Sequence, residues 1–414
     1  MIRRATMLPP ATSWPDPREE GSYTRRVATW HLDPDVIHLN HGSFGATPVE
    51  VLAEQDRWRA MMESNPVSFM LETYQPALDA TRSTLASFVG GDFDGLVFVP
   101  NASYGVNSVT RSFESRLSAD SEIIVTNQGY NASNNAVAVS AAKKGARVVT
   151  VDLPFPIEGA GVVVGKVLDA VTNRTALVVI DHVTSPTGIV LPVAQLIEHL
   201  EPEIPVLVDG AHAPGMVDVN LEQLGASFYT ANCHKWMCAP KGSGFLHVAE
   251  RHRDWMAAVV ISHGQNDGWP GSSSRYHARF DWVGTDDPSA RLSVGAAIEV
   301  MGNHRPEGWD EIRKTNHELA LSGRSVIAAE LGTDLPAPEE MIGSIASLVL
   351  PPSGVVSHDI LDPLTGDLRS KWGIEVPVFS WPDGSNRLIR ISAQQYNTPG
   401  DYERLAEALA VELA

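Results

Sequence analysis

One lysine, Lys235, has neighbours that are unusual for a surface lysine. It follows the short apolar run "FYT" and lies between His234 and Trp236 in the segment "YTANCHKWMCAP". A lysine whose stem covers apolar surface while its amine stays in water is the usual case, but this histidine and tryptophan are not typical of an exposed helix. A desolvated lysine with a lowered pKa is the nucleophile that forms an imine with an aldehyde. The segment therefore indicates covalent lysine chemistry.

An acidic residue upstream is a suitable partner for such a lysine. Asp209 ends the apolar run "VLV" and precedes two small residues. A buried acid costs several kcal/mol unless it is paired, so Asp209 is either a strand-end cap or the partner of a buried cation. An aspartate for a pyridinium nitrogen and a lysine for an aldehyde are together what pyridoxal phosphate requires.

The segment "VPNASYGVNSV" is a candidate phosphate site. Asn101, Ala102 and Ser103 follow a predicted strand and open a predicted helix. Free amides and the dipole at a helix N-terminus favour an anion. A simple Ser/Asn helix cap explains the same residues equally well, so both interpretations stay open.

The only two cysteines, Cys233 and Cys238, flank Lys235. Their spacing fits neither a CxxC redox pair nor a zinc knuckle. We therefore expect no disulfide framework and no metal site, and we interpret both cysteines as packing residues.

The composition is that of a globular enzyme with an acidic surface. The 414 residues include 31 basic and 50 acidic residues, for a formal net charge of -19. Long-range repulsion would oppose binding to phosphate backbones or anionic lipid, so we expect no nucleic acid and no membrane partner. No apolar run approaches the ~20 residues of a membrane helix, and the basic N-terminus lacks the apolar region of a signal peptide. The expected location is cytoplasmic.

The elements that must position these residues are short apolar runs bounded by Gly, Asn, Asp or Pro. They are rich in β-branched residues, and most are separated by stretches long enough for a helix, which is typical of parallel strands buried on both faces. The prediction is an α/β layered domain whose ligands gather at the carboxyl ends of the strands. The six runs are "GLVFVPN", "SEIIVTNQG", "ARVVTVDLP", "TALVVIDHV", "IPVLVDGAH" and "ASFYTANCH".

The pattern changes after about residue 290. Helical segments, the strands "ASLVLP", "EVPVFSW" and "RLIRISAQ", and a final helix predict a smaller α+β unit. The expected organisation is an N-terminal arm at 1–35, a large α/β domain at 36–290 whose first residues contribute to the small domain, and a small domain at 291–414. The turn-rich loop 261–290 and the segment 361–381 are expected to shape a substrate pocket.

Six motifs in order carry a resemblance to a known family: "LNHGSFGATP", "FVPNASYGVNSV", "DHVTSPTGIVLP", "VDGAHAPG", "NCHKWMCAPKG" and "RISAQQYNT". They resemble the class V aminotransferase family of fold-type I pyridoxal-phosphate enzymes. The similarity is greatest to the isopenicillin N epimerase-like branch, which also includes hercynylcysteine sulfoxide lyases and other carbon–sulfur lyases. The resemblance implies a mainly parallel seven-stranded sheet in the large domain, a smaller α+β domain, and pyridoxal 5'-phosphate as the cofactor.

The resemblance also implies a role for each site residue. Lys235 would carry the cofactor covalently, Asp209 would pair with its pyridine nitrogen beside His212, and Tyr130 would stack on its ring. The remaining implied contacts are Ala102, Ser103, Asn232 and His234 on the phosphate; Gly284 and Thr285 on the phosphate of a neighbouring subunit in a homodimer; His182 with Thr184 or Ser185 near the phenolic oxygen; and Asn40, Gly42, Ser43 and Arg390 on the substrate, with Arg390 clamping its carboxylate.

Each assignment has a structural alternative. His182 and His212 could be satisfied structural histidines, and Tyr130 could be a packing aromatic. Arg390 could form a surface salt bridge, although it lies inside the apolar run "LIRIS", where an unpaired charge would be costly.

The expected reaction begins with removal of a Cα proton from an amino-acid substrate. Cysteine desulfurases of this family need a nucleophilic cysteine shortly before the carboxylate-binding arginine, and residues 339–389 contain none. We predict a β-eliminating carbon–sulfur lyase on a cysteine-derived conjugate in secondary metabolism, with Lys235, Tyr130 and Asp209 as its catalytic residues. The alternatives are an amino-acid epimerase, or an aminotransferase or decarboxylating deaminase. A catalytically idle partner protein is disfavoured by the retained lysine, aspartate and arginine.

Overall fold

The computed structural model describes residues 29–266, 271–351, 362–381 and 387–414. Its strands are β1 (Ile37–His38), β2 (Leu96–Val99), β3 (Glu122–Thr126), β4 (Arg147–Val151), β5 (Thr175–Asp181), β6 (Val206–Asp209), β7 (Phe228–Asn232), β8 (Gly244–Val248), β9 (Ile345–Leu350), β10 (Ile374–Glu375), β11 (Val378–Ser380) and β12 (Arg387–Ser392). Seven strands form the main sheet in the order β2-β8-β7-β6-β5-β3-β4, and only β8 is antiparallel to its neighbours. The predicted mainly parallel seven-stranded sheet is confirmed.

Helices cover both faces of this sheet, and further helices belong to the C-terminal part of the chain. They are α1 (His41–Phe44), α2 (Val49–Ser64), α3 (Pro66–Ser68), α4 (Tyr74–Phe88), α5 (Ala102–Phe113), α6 (Asn131–Lys144), α7 (Ala160–Asp169), α8 (Val193–Leu200), α9 (Leu221–Leu224), α10 (Glu250–Arg253), α11 (Arg275–Asp281), α12 (Ser289–Leu292), α13 (Val294–Gly302), α14 (Trp309–Leu331), α15 (Pro363–Trp372) and α16 (Pro399–Glu412). A π-helical segment, Phe69–Thr73, joins α3 to α4.

Side chains along each strand point alternately to the two faces of the sheet, so each strand contributes to the apolar core on both faces. On β5, Val178 and Ile180 belong to one buried apolar cluster, whereas Leu177 and Val179 belong to the other. Successive side chains of a strand point to opposite faces, so a continuous apolar run fits a sheet that is covered on both sides. The six apolar runs of the sequence form β2 to β7.

The seventh strand of the sheet, β8, is not marked by such a run. Its sequence "GFLHV" follows a glycine-rich turn and includes the polar His247. It pairs antiparallel with both β7 and β2, and all five of its residues are buried. Tertiary pairing, and not local pattern, determines this strand.

The C-terminal part has its own antiparallel sheet in the order β11-β12-β9, and α14 packs against α16 and β9. The predicted strand "EVPVFSW" is interrupted, because Pro377 between β10 and β11 lacks the N–H that a ladder needs. β10 pairs with β1, which joins residues 374–375 to residues 37–38 near the N-terminus. The domain boundary at residue 290 stays a prediction.

Two of the segments singled out in the sequence are only partly described. In the loop 261–290, a short 3₁₀ helix (His263–Gln265) and α11 replace the expected irregular structure, and residues 267–270 lie outside the described part. The expected N-terminal arm is described only from residue 29 onward. No helix within the described ranges is long and apolar enough to cross a membrane.

Candidate active site

The carboxyl ends of three neighbouring strands bring the polar residues of the site together. Asp181 ends β5, Asp209 ends β6 and Asn232 ends β7. Asp181 and Asp209 are register partners, and Thr230 of β7 is the next partner of Asp209. Lys235 lies in the turn that follows β7. Parallel strand ends are the usual ligand-binding edge of an α/β sheet, and the expected convergence is present here.

Lys235 carries an amine that is prepared for nucleophilic chemistry. Its Nζ atom lies 2.9 Å from Nε2 of His212. Burial lowers the lysine pKa to about 7; the positive charge of Arg390 acts in the same direction, and Asp209 and Asp181 oppose it. A large fraction of Lys235 is therefore the free amine near neutral pH.

α1 is held tightly against the Lys235 turn. Gly45, at the end of α1, has φ 62°, and a Cβ atom at this position would lie 2.4 Å from the carbonyl oxygen of His234. His41 of the same helix lies 3.1 Å through Nε2 from the Lys235 carbonyl oxygen. The "NHGSFG" motif thus packs directly against the lysine turn.

Asp209 is a buried acid with two fixed donors. Its Oδ2 accepts from the Ser133 hydroxyl at 2.7 Å, and its Oδ1 accepts from the Ala211 amide at 3.1 Å. Burial raises the pKa of Asp209, while these two donors and Lys235 counteract that effect. A cation placed beside this carboxyl would satisfy it as a carboxylate. Ser133 lies on α6, three residues after Tyr130, and no motif in the sequence marks it as a partner of Asp209.

Asp181 is a second buried acid that sequence reasoning left without a role. Both its carboxyl oxygens lie 3.3 Å from the backbone nitrogen of Tyr130, which donates to them. Burial raises the pKa of Asp181 well above its usual value, and the charge of Asp209 adds to this. The only signal in the sequence was its position at a strand end. The Tyr130 side chain itself is 43% exposed at the start of α6.

The residues predicted near the phenolic oxygen do not share one environment. His182 is buried and contacts the Tyr229 hydroxyl through Nδ1 at 2.9 Å, and burial lowers its pKa to about 4. The Thr184 hydroxyl binds within its own turn, 2.6 Å from the Thr187 hydroxyl. Ser185 instead accepts from Arg390, so it belongs to the arginine side of the site.

The predicted phosphate residues meet at the N-terminus of α5. The Ala102 amide donates to Oδ1 of Asn232 at 2.8 Å, and Asn101 caps the helix through the Tyr104 amide. The Tyr104 and Gly105 amides also donate to the Asn101 carbonyl, so the Ser103 amide and the helix dipole are what this helix start offers an anion. The Nδ1–H group of His234 donates to the Ser243 carbonyl at 2.7 Å, which fixes the orientation of that ring.

The residues predicted to act across a subunit interface lie apart from this cluster. Thr285 is exposed, and Gly284 is half-buried in the loop between α11 and α12. Within the described ranges, no hydrogen bond joins either residue to the groups around Lys235. Their role on a neighbouring subunit's phosphate stays a prediction.

Arg390 of β12 is a buried cation whose partners are neutral. Its two terminal nitrogens donate to the Ser185 carbonyl at 2.7 Å and to the Ser43 hydroxyl at 2.8 Å, with Asn40 Oδ1 at 3.5 Å. Its Nε is buried without a partner, and no acid forms a salt bridge with Arg390 in the described part of the chain. Burial lowers its pKa to about 10. A buried guanidinium with neutral partners is well suited to bind an anionic ligand.

The loop that carries Ser43 is itself tied to β12. The Gly42 amide donates to the Ser392 hydroxyl at 3.1 Å, and Ser43 donates to Asn40 at 2.6 Å. The predicted substrate residues therefore surround Arg390.

Neither cysteine contributes to the chemistry of the site. Cys233 and Cys238 are free and 0% exposed, and burial raises the pKa of both thiols. No group of three or more potential metal-ligating side chains is present among the described residues. Lys235 therefore stays the predicted nucleophile.

These residues fit pyridoxal phosphate as the resident group. A lysine with a pKa of about 7 suits the aldehyde, a buried aspartate suits the pyridine nitrogen, and the α5 N-terminus suits the phosphate. The guanidinium of Arg390, which has only neutral hydrogen-bond partners among the described residues, suits a substrate carboxylate. The fold and the site thus define a fold-type I pyridoxal-phosphate enzyme.

Comparison with known proteins identifies the family. The chain belongs to the Aminotransferase class-V family, whose profile matches residues 45–405. It is 33% identical over 411 residues to the isopenicillin N epimerase of Amycolatopsis lactamdurans, covering 96% of this chain and 98% of that protein. It is 32% identical over 403 residues to a probable chloroplastic L-cysteine desulfhydrase of Arabidopsis thaliana, covering 92% of this chain and 83% of that protein.

A solved structure supports the fold. The cysteine desulfurase CsdA of Escherichia coli superposes with a TM-score of 0.76 at 19% identity, covering 96% of this chain and 100% of that chain. The predicted family, fold class and cofactor are confirmed. The prediction of a lyase or an epimerase agrees with the two curated relatives.

Proposed function

We propose that this chain is a β-eliminating carbon–sulfur lyase that acts on a cysteine-derived conjugate of secondary metabolism. The observation that carries the proposal is the burial of both thiols, Cys233 and Cys238, at 0% exposure. A desulfurase must present a reactive thiolate to accept sulfur. An enzyme without a reactive thiolate can still release the sulfur-containing fragment as a free thiol. The similarity to an L-cysteine desulfhydrase also supports carbon–sulfur bond cleavage.

Arg390 sets the orientation of the substrate. Its guanidinium, with Ser43 and Asn40 beside it, would hold the α-carboxylate through two parallel hydrogen bonds. Because the positive charge of Arg390 also helps lower the pKa of Lys235, the substrate-binding cation and the free amine belong to one electrostatic unit. Binding a carboxylate there neutralises the arginine and favours proton uptake by the lysine.

Lys235 would accept the Cα proton, and Tyr130 would supply the proton that the leaving sulfur needs. Bound pyridoxal phosphate supplies an electron sink for the carbanion that forms at Cα. Asp209, fixed by Ser133 and Ala211, would keep the pyridine nitrogen protonated. The Tyr130 backbone is fixed to Asp181, while its side chain reaches solvent, where a leaving group can depart.

The overall reaction balances without an oxidant. The conjugate R–S–CH2–CH(NH3⁺)–COO⁻ loses its Cα proton and its Cβ–S bond, which gives R–SH and an aminoacrylate. Tautomerisation and addition of one water then yield pyruvate and ammonium. Epimerisation would instead return a proton to the opposite face of Cα, and the epimerase relative makes it the second candidate.

The decisive experiment incubates the holoenzyme with a panel of S-substituted L-cysteines in deuterated water. The lyase proposal predicts thiol, pyruvate and ammonium in equal amounts, with no product from Lys235→Ala. Recovery of substrate with deuterium at Cα, inverted configuration and no pyruvate would replace the lyase with the epimerase.

We propose further that the functional unit is a homodimer in which Gly284 and Thr285 complete the partner's phosphate site. Exposed apolar side chains support an interface: Phe44 is 77% exposed, Val67 69% and Ile261 72%. Light scattering should give twice the mass of the chain.

Mixing variants tests the shared site. Lys235→Ala and Thr285→Asp would each be inactive, but a mixed dimer contains one site with both Lys235 and an intact Thr285. Random mixing should restore about a quarter of the wild-type activity. Failure to restore any activity would place Thr285 in the site of its own subunit or outside it.

A further inference from the structure

Lys235, His212 and Trp236 form a chain of nitrogen atoms whose proton positions can be deduced. The indole Nε1 of Trp236 lies 3.3 Å from Nδ1 of His212, and Nε2 of His212 lies 2.9 Å from Nζ of Lys235. An indole nitrogen can only donate, so Nδ1 of His212 must accept. The proton of the neutral imidazole is therefore on Nε2, facing Lys235.

We propose that Trp236 is a positioning residue that holds His212 as the Nε2–H tautomer, so that the imidazole presents a donor, and not an acceptor, to the Lys235 amine. The inference rests on Lys235 being the cofactor lysine and is independent of the reaction that follows. A donor at Nε2 can only be matched by the lone pair of a neutral amine. A lysine ammonium would need an acceptor there, and the imidazole could accept on both nitrogens only as an anion. Trp236 thus favours the free amine.

Packing leaves the tryptophan and the histidine little freedom. Trp236 is 1% exposed and His212 is 3% exposed. The His41 ring lies 4.9 Å from the Trp236 ring at an angle of 49°. Gly215, with φ 88°, brings the backbone after His212 so close that a Cβ there would lie 2.6 Å from the Trp236 carbonyl carbon. Packing of the two loops therefore fixes the contact between Nε1 of Trp236 and Nδ1 of His212.

Other charged groups also act on the Lys235 amine, and the test must separate them from Trp236. Arg390 of β12 favours the neutral amine, whereas Asp209 of β6 and Asp181 of β5 favour the ammonium. A charge on His41 of α1 would also lower the pKa of His212. Trp236→Phe alters none of these charges and keeps the aromatic packing. Trp309→Phe is the matched control, because its indole N–H donates to the Ile298 carbonyl, outside the site.

The first readout is the tautomer of His212 in the ¹⁵N-histidine NMR spectrum of the holoenzyme, assigned with His212→Gln. The wild type and Trp309→Phe should show a protonated Nε2 and an unprotonated Nδ1. A wild-type spectrum with Nδ1 protonated would overturn the proposal even if Trp236→Phe did not fold.

The second readout is the titration of the Lys235 amine in the full chain without cofactor, by ¹⁵N-lysine NMR assigned with Lys235→Met. Trp236→Phe should raise the lysine pKa, because His212 can then turn its Nε2 lone pair toward an ammonium. The loss of one hydrogen bond predicts about a fivefold to tenfold lower ratio of free amine to ammonium at a given pH. An unchanged titration in folded Trp236→Phe would overturn the proposal. Neither readout depends on turnover, so a failed lyase assay leaves it untouched.

Discussion

Asp181 and Asp209 are register partners at the ends of two adjacent parallel strands, and both carboxyl groups are buried. The pKa of Asp181 is raised well above its usual value, first by burial and then by the charge of Asp209. Asp209 instead has two hydrogen-bond donors to support a carboxylate. Burial raises the pKa of both acids, and the Ser133 hydroxyl gives Asp209 the stronger support for a negative charge.

This difference predicts that Asp181 and Asp209 respond differently when each is replaced by asparagine. Asp181→Asn keeps an oxygen that accepts from the Tyr130 amide, so kcat should stay within about threefold of wild type. Asp209→Asn loses the negative charge opposite the pyridine nitrogen, and kcat should fall by about a thousandfold. The measurement is steady-state turnover, with the visible band of bound cofactor showing that both variants remain loaded. Similar losses of kcat in the two variants would contradict different roles for Asp181 and Asp209.

Arg390→Lys should raise KM for the substrate by about 10- to 100-fold. A lysine keeps the charge but cannot reproduce the bidentate fork that would hold a carboxylate. The control is Arg404→Lys, a partly exposed ion-pair residue on α16, for which no change in KM is expected. An unaltered KM in Arg390→Lys would show that the carboxylate binds elsewhere.

The stability of the cofactor-free protein should depend on pH through Lys235. Its pKa is about 7 when folded and 10.5 when unfolded, so the unfolded chain binds more protons between these values. The free energy of unfolding therefore rises with pH across this window. Lys235→Met removes the cost of the buried charge and should stabilise the cofactor-free chain by ~5 kcal/mol below pH 7, with the gain vanishing near pH 10.5.

Thermal or urea unfolding at several pH values measures that difference. Lys166→Met, on the exposed face of α7, is the control and should show no comparable pH-dependent gain. A Lys235→Met difference that is constant from pH 6 to pH 10 would contradict a depressed lysine pKa.

Replacing both thiols should leave the reaction intact. Cys233→Ala with Cys238→Ala should retain activity within about threefold, since both thiols are buried and their raised pKa keeps them protonated. Thiol reagents should not inactivate the native wild-type enzyme. If the folded double variant had lost turnover while binding cofactor normally, a thiol would have to enter the mechanism.

The sequence predicted the parts of the site that depend on strand ends. Asp209 and Asn232 follow apolar runs whose burial is read directly from β-branched residues. β8 could not be predicted in this way, because its place is determined by pairing with β7 and β2. α15 was likewise hidden in a segment interpreted only as a substrate-pocket element.

Contacts between distant segments were the least predictable part of the site. Ser133 contacts Asp209 across 76 positions of sequence, and Asp181 meets the Tyr130 amide across 51. No local pattern marks a serine inside a helix as the partner of a strand-end aspartate. The Trp236 contact to His212 depends on how two loops cross, which the motifs themselves do not encode.

The most direct test of the site is the location of the covalent cofactor bond. The holoenzyme is reduced with borohydride and digested, and the modified peptide is sequenced by mass spectrometry. We expect the pyridoxyl group on Lys235 alone. A pyridoxyl group on the exposed Lys241 nearby, or on no lysine, would show that Lys235 is not the cofactor lysine.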